Sequence, residues 1–101
     1  MSYTLRFQPK ALKDIENILP YLSELHADLP HKFRNLLAEK LEEVGNYLER
    51  WAPLSNGIRA IRMKLSKRLA YHCFYTIREH DNHILILRIL PQQADPKHWP
   101  S

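Results

Sequence analysis

The chain has 101 residues, 45% hydrophobic and 26% charged, with a formal net charge of +4. This length holds one domain, and this composition excludes a disordered or fibrous chain. The single cysteine, Cys73, excludes a disulfide framework, and the longest strongly apolar run, Ile84–Leu87, is far short of a membrane span.

The elements follow in chain order. Ser2–Phe7 alternates, with Tyr3, Leu5 and Phe7 on one side, and reads as a short half-buried strand. Pro9 suits the first turn of a helix, and Leu12, Ile15, Ile18, Leu19, Leu22 and Leu25 recur along it as one apolar stripe. Pro20 removes a hydrogen bond from that helix and clashes with the Glu16 carbonyl, which predicts a kink or an early stop. After His26–Asp28, Pro30 opens a second helix whose apolar positions run from Phe33 through Leu37, Leu41, Val44 and Leu48 to Trp51. Pro53-Leu-Ser-Asn-Gly57 ends this αα-hairpin with turn residues.

From Ile58 the period becomes two. Ile61, Met63 and Leu65 point one way and Arg62 and Lys64 the other. Ser66–Arg68 is a turn, Leu69–Ile77 a second strand, Glu79–Asn82 another turn, and His83–Leu90 a third strand, apolar enough to be central. Pro91, Pro96 and Pro100 make residues 91–101 an irregular tail. The order β-α-α-β-β-β predicts an α+β fold: one domain over residues 1–101, an antiparallel sheet with a helical hairpin on one face. The lone thiol and the absence of a signal-peptide core from MSYTLRFQPK predict a soluble, cytoplasmic protein.

Charge is unevenly placed. Residues 1–57 carry seven Lys/Arg and eight Asp/Glu, while residues 58–101 carry eight and three, so the second half holds +5. Arg59, Arg62, Lys64, Lys67 and Arg68 fall within ten residues with no acid among them. Such a cluster grips phosphates or an acidic protein segment, or it merely solvates the open face of a sheet. Arg88 interrupts ILILRIL and must be paired, reach the open face, or lie over a ring such as Phe74 or Tyr75. His72, opposite Tyr71 and Cys73, is a candidate proton carrier, and no acid lies between Ile58 and Arg78 to orient it. A Cys73–His72 nucleophile pair fails because neighbouring strand residues point apart. His80, His83 and Cys73 lack a metal-ligand spacing, and with only Gly45 and Gly57 there is no glycine-rich phosphate loop, so no metal or cofactor is expected.

Three segments in this order resemble the RelE/ParE toxins of type II toxin–antitoxin modules: F-x-P-x-A-x-x-D-I at the first helix (Phe7, Pro9, Ala11, Asp14, Ile15), Y-x-x-F-Y (Tyr71, Phe74, Tyr75), and I-L-R-I-L (Ile86–Leu90). The resemblance spans nearly the whole chain and implies one of two modes. RelE-like toxins cleave messenger RNA on the ribosome with cations of the open face; ParE-like toxins inhibit DNA gyrase. On the first pattern Arg62, Lys64 and His72 would be catalytic, but the arginine expected after the last strand is absent from Leu90-Pro91-Gln92-Gln93, leaving His98 as a substitute. On the second, the long helical hairpin fits, and Pro91 stands where a histidine often closes the strand. The gyrase-poison mode is favoured, with a non-toxic relative that only binds antitoxin as a further alternative. Either mode implies a cognate antitoxin with an acidic segment, for which Arg59, Arg62, Lys64, Lys67, Arg68 and Arg88 are the candidate contacts.

Overall fold

The structure is a computed structural model and describes residues 3–48, 50–54 and 56–100. Ser2 of the expected first strand, Ser55 of the expected turn and Ser101 of the tail lie outside the described residues.

β1 (Thr4–Phe7) leads into α1 (Pro9–Leu25), with Pro9 in its first turn. The early stop expected at Pro20 does not occur, and the helix runs on to Leu25. Pro20 and Glu16 are both exposed, so water can satisfy the carbonyl that the missing N–H leaves behind. Ala11, Ile18 and Leu22 are buried, whereas Leu12 and Leu25, read as part of the stripe, are 49% and 53% exposed. At 3.6 residues per turn Leu12 lies about 120° around the helix from Ile18, at the edge of the apolar face. Leu25 is the last residue of the helix and lacks the cover that Leu22, one turn earlier, receives.

α2 (Leu29–Asn46) buries Phe33, Leu37, Leu41 and Val44. It stops short of the expected Trp51: Tyr47 leaves helical geometry at φ −134°, just after Gly45 and Asn46, both weak helix formers. Leu48 and Trp51 nevertheless pack against the core from outside the helix. Their helix-like spacing is therefore preserved by a turn.

The remaining strands are β2 (Ile58–Ser66), β3 (Leu69–Arg78) and β4 (His83–Pro91), in the sheet order β1-β4-β3-β2. β2 and β3 form a hairpin closed by Lys67 and Arg68, with Ser66 in register with Leu69. A 3-10 turn, Glu79–Asp81, joins β3 to β4, and Asn82 takes the left-handed conformation there at φ 52°. The meander is antiparallel as expected; β1 alone runs parallel to β4, pairing Thr4–Phe7 with His83–Ile86, so the sheet is mixed. β4 is central. The helices cover the sheet face bearing Ile61, Met63, Tyr71, Cys73, Tyr75 and Ile86. On the other face, Ile58, Phe74 and Leu90 form a smaller cluster with Trp99 from the tail.

Past Phe7 the outer edge of β4 has no strand beside it, and the chain closes it with α1. Gln8 N–H donates to the Ile86 carbonyl at 2.9 Å. Asp14 Oδ2 accepts the Ile89 N–H at 2.9 Å, while both its oxygens hold Arg88, through Nε at 2.8 Å and Nη2 at 3.0 Å. Pro91, two residues on, has no N–H to offer in that direction. A register shift beside Phe74 leaves Leu87 without a partner in β3 and breaks strict alternation just before Arg88. The cation inside the apolar run is thus paired, and its partner comes from the first helix. Hydrogen bonding to Asp14 raises the Arg88 pKa above its ordinary value, against the opposing effect of burial.

Candidate functional site

The hairpin's alternation separates the cations that the sequence lists together. Arg62 stands in register with His72, and His72 with Leu90, so one row crosses the open face. Arg62 Nε donates to Gln92 Oε1 at 2.8 Å, and Gln92 is itself fixed by its N–H to the Ala70 carbonyl at 2.9 Å. Arg62, Lys67 and Arg68 line one cavity of about 350 Å³ with Gln92 and Gln93. Three cations and two amides around one hollow have the chemistry to bind carboxylate or phosphate oxygens, with Arg able to engage two at once.

The other candidates lie elsewhere. Lys64, on the edge strand, lines a separate hollow with Asp28, Lys32 and Glu39. Arg59 stands in register with Tyr75, on the core side of β2, and its charge partly offsets the burial that pushes the Tyr75 hydroxyl up to about 12. Arg88 is held by Asp14. His98 lines a third hollow with Lys10 and Arg88, distinct from the one around Arg62.

His72 is half-buried on the open face, its ring 5.9 Å from Phe74 and 6.0 Å from Trp99 between centroids. Burial first, and then the Arg62 charge, lower its pKa from the ordinary 6.5. At neutral pH it is therefore an uncharged imidazole, an acceptor rather than a third cation for a phosphate. Cys73 is fully buried, and burial pushes its thiol up to about 12, which removes it as a nucleophile. Among the described residues no three His, Cys, Asp or Glu side chains converge on a metal-sized site. No helix among them is long and apolar enough to cross a membrane.

Gln92, Gln93 and Trp99 are the site neighbours that the sequence did not announce. Each follows the last strand, where no periodicity fixes direction. The one available signal was the run Leu90-Pro91-Gln92-Gln93, polar just where the strand ends.

Solved structures share this architecture. A double mutant of the E. coli toxin RelE in the free state is 18% identical with a TM-score of 0.61, over 94% of this chain and 88% of its own. The chromosomal ParDE toxin–antitoxin system of P. aeruginosa gives 19% identity and 0.64, over 89% of this chain and 96% of that one. The intact E. coli RelBE toxin–antitoxin complex gives 18% and 0.59, over 92% and 100%. At these identities the likeness establishes the fold. No curated protein matches the sequence. Residues 5–96, nearly the whole chain, match the family described as the ParE toxin of the type II toxin–antitoxin system parDE. The chain belongs to the ParE toxin family.

Proposed function

We propose that this ParE-family toxin arrests growth in the cytoplasm by binding and inhibiting DNA gyrase, without hydrolytic chemistry of its own. The observation that supports this most is the Arg62–Gln92 hydrogen bond at 2.8 Å. Where a nuclease of this fold would need a further cation beside the scissile phosphate, the chain supplies a neutral amide that occupies the arginine instead. The cavity between Arg62, Lys67 and Arg68 then serves recognition of acidic groups. A cognate antitoxin presenting an acidic segment fits it, whereas Lys64 in its own hollow, Arg59 on the core side and Arg88 held by Asp14 stand apart from it.

A second reading has its own observation. Arg62 and His72 stand side by side on the open face, and an uncharged His72 is a competent proton acceptor near neutrality. With Lys64 they would make a ribosome-dependent endoribonuclease. Inducible expression in a bacterial host separates the readings. DNA-damage signalling with intact messages supports gyrase poisoning. Cleaved messages abolished by Arg62→Ala support the nuclease, and harmless overexpression points to a relative that only binds antitoxin.

A further inference from the structure

Residues 92–100 leave β4 and turn back over the open face of the sheet. Gln92 and Ala94 are tied to the strands, through N–H bonds to the carbonyls of Ala70 and Pro91 at 2.9 Å each. Beyond Ala94 the hydrogen bonds of the segment are local: His98 N–H to Asp95, Trp99 N–H to Pro96, and Lys97 N–H to the Asp95 carboxylate at 3.0 Å. Asp95, Pro96, Lys97 and His98 are all exposed. What joins this stretch to the sheet is an indole. Trp99 packs 5.3 Å from Phe74 and 6.0 Å from His72 between ring centroids, and joins the small cluster of Ile58, Phe74 and Leu90.

That contact is incompletely satisfied. Trp99 Nε1 and His72 Nδ1 are both buried with no hydrogen-bond partner among the described residues. Each has given up water without a replacement, which offsets part of what burying the indole gains. A segment with local hydrogen bonds, one apolar anchor and a desolvated ring nitrogen on each side of that contact is built to open separately from the core.

We propose that residues 95–100 form a releasable strap that docks Trp99 on the open face and, on opening, uncovers an apolar patch of Phe74, Ile58 and Leu87 bordered by Arg62 and His72. Opening of the strap does not depend on whether the target is gyrase or the ribosome, so the inference goes beyond the choice between them. In the closed state the patch is occupied by the chain's own indole. In the open state it presents apolar surface beside a guanidinium.

The test uses the full chain. With Trp51→Phe, Trp99 is the sole tryptophan, and its emission should shift to the red at lower urea than the far-UV circular dichroism transition. In the wild-type Trp51 background, Trp99→Ala should raise the fluorescence enhancement of anilinonaphthalene sulfonate, an apolar anion, at least threefold while the cooperative transition persists. Asp95→Ala, which loosens the strap and keeps the ring, should give a smaller rise. Coincident Trp99 and circular dichroism transitions would overturn the proposal. So would unchanged dye binding by a folded Trp99→Ala protein. If Trp99→Ala does not fold, the Trp51→Phe transitions still decide.

Discussion

Removing the Asp14 carboxylate tests how α1 closes the edge of β4 beyond its pairing with β1. Asp14 is 12% exposed and Arg88 27% at the side chain, so the pair is mostly but not wholly out of water. Asp14→Ala deletes the acceptor of both Arg88 bonds and of the Ile89 N–H. Breaking a fully buried pair costs about 3–5 kcal/mol, and residual exposure places this site near the lower bound, about 3 kcal/mol. At roughly 5 °C per kcal/mol for a domain of this size, the melting temperature should fall by about 15 °C. Urea titration followed by far-UV circular dichroism should show a lower midpoint with an unchanged slope. Asp14→Asn keeps an acceptor for Ile89 and should lose about half as much. A double-mutant cycle with Arg88→Met should return a coupling of about 2 kcal/mol. A loss under about 1 kcal/mol for Asp14→Ala, or additivity in the cycle, would refute the clamp.

Other predictions rest on single groups. The ring of His72 should titrate below 6.5 by NMR, and Arg62→Met should move the midpoint upward without restoring the ordinary value, because burial is the larger cause. Because the folded ring resists a proton that the unfolded chain accepts near pH 6.5, its contribution to stability is complete above that pH and is lost as the pH falls below it. A His72→Gln variant should accordingly lose less stability than the wild type between pH 7.5 and 5.5. Cys73, with its thiol at about 12 and no exposure, should resist a disulfide reagent at pH 8 and react at the rate of unfolding; fast native labelling would contradict its placement. Pro20→Ala should stabilise the protein by about 2 kcal/mol, since it restores the helical N–H at an exposed position; a loss would mean that the proline ring itself is needed for packing.

Much of this fold was legible because its elements are locally consistent. The switch from three/four spacing to alternation at Ile58 marked the boundary between hairpin and meander, and the near-unbroken apolar run of β4 marked the centre of the sheet. The parallel partner of β1 was not legible, since four alternating residues carry no information about which edge they join. Pro20 misled because propensity cannot tell a solvent-facing proline from a buried one. Leu48 and Trp51 misled because a turn keeps them on the core after the helix has ended.

The site was half legible for the same reason. Parity along β2 sets Arg62 and Lys64 against Arg59, which stands beside Tyr75, although sequence proximity had grouped all three; even so, Arg62 and Lys64 line separate hollows. Alternation gave no direction in β4, where Leu87 stands unpaired; of the three outcomes open to Arg88, the structure shows pairing, with an acid from α1. The motifs that suggested the family, the start of α1 and I-L-R-I-L, prove to touch each other through Asp14 and Arg88. They report the architecture, and they say nothing of the target. Gln92 and Trp99 depend on where an irregular tail lands, which tertiary contacts decide.

If the cationic cavity belongs to a gyrase poison and not to a nuclease, as proposed, the two targets respond differently to the purified protein. Purified protein added to DNA gyrase and relaxed plasmid tests it most directly, with a ribosome-bound message incubated in parallel. A gyrase poison should inhibit supercoiling while the message stays whole. Full supercoiling at micromolar excess of the protein, together with a message cut on the ribosome, would contradict it.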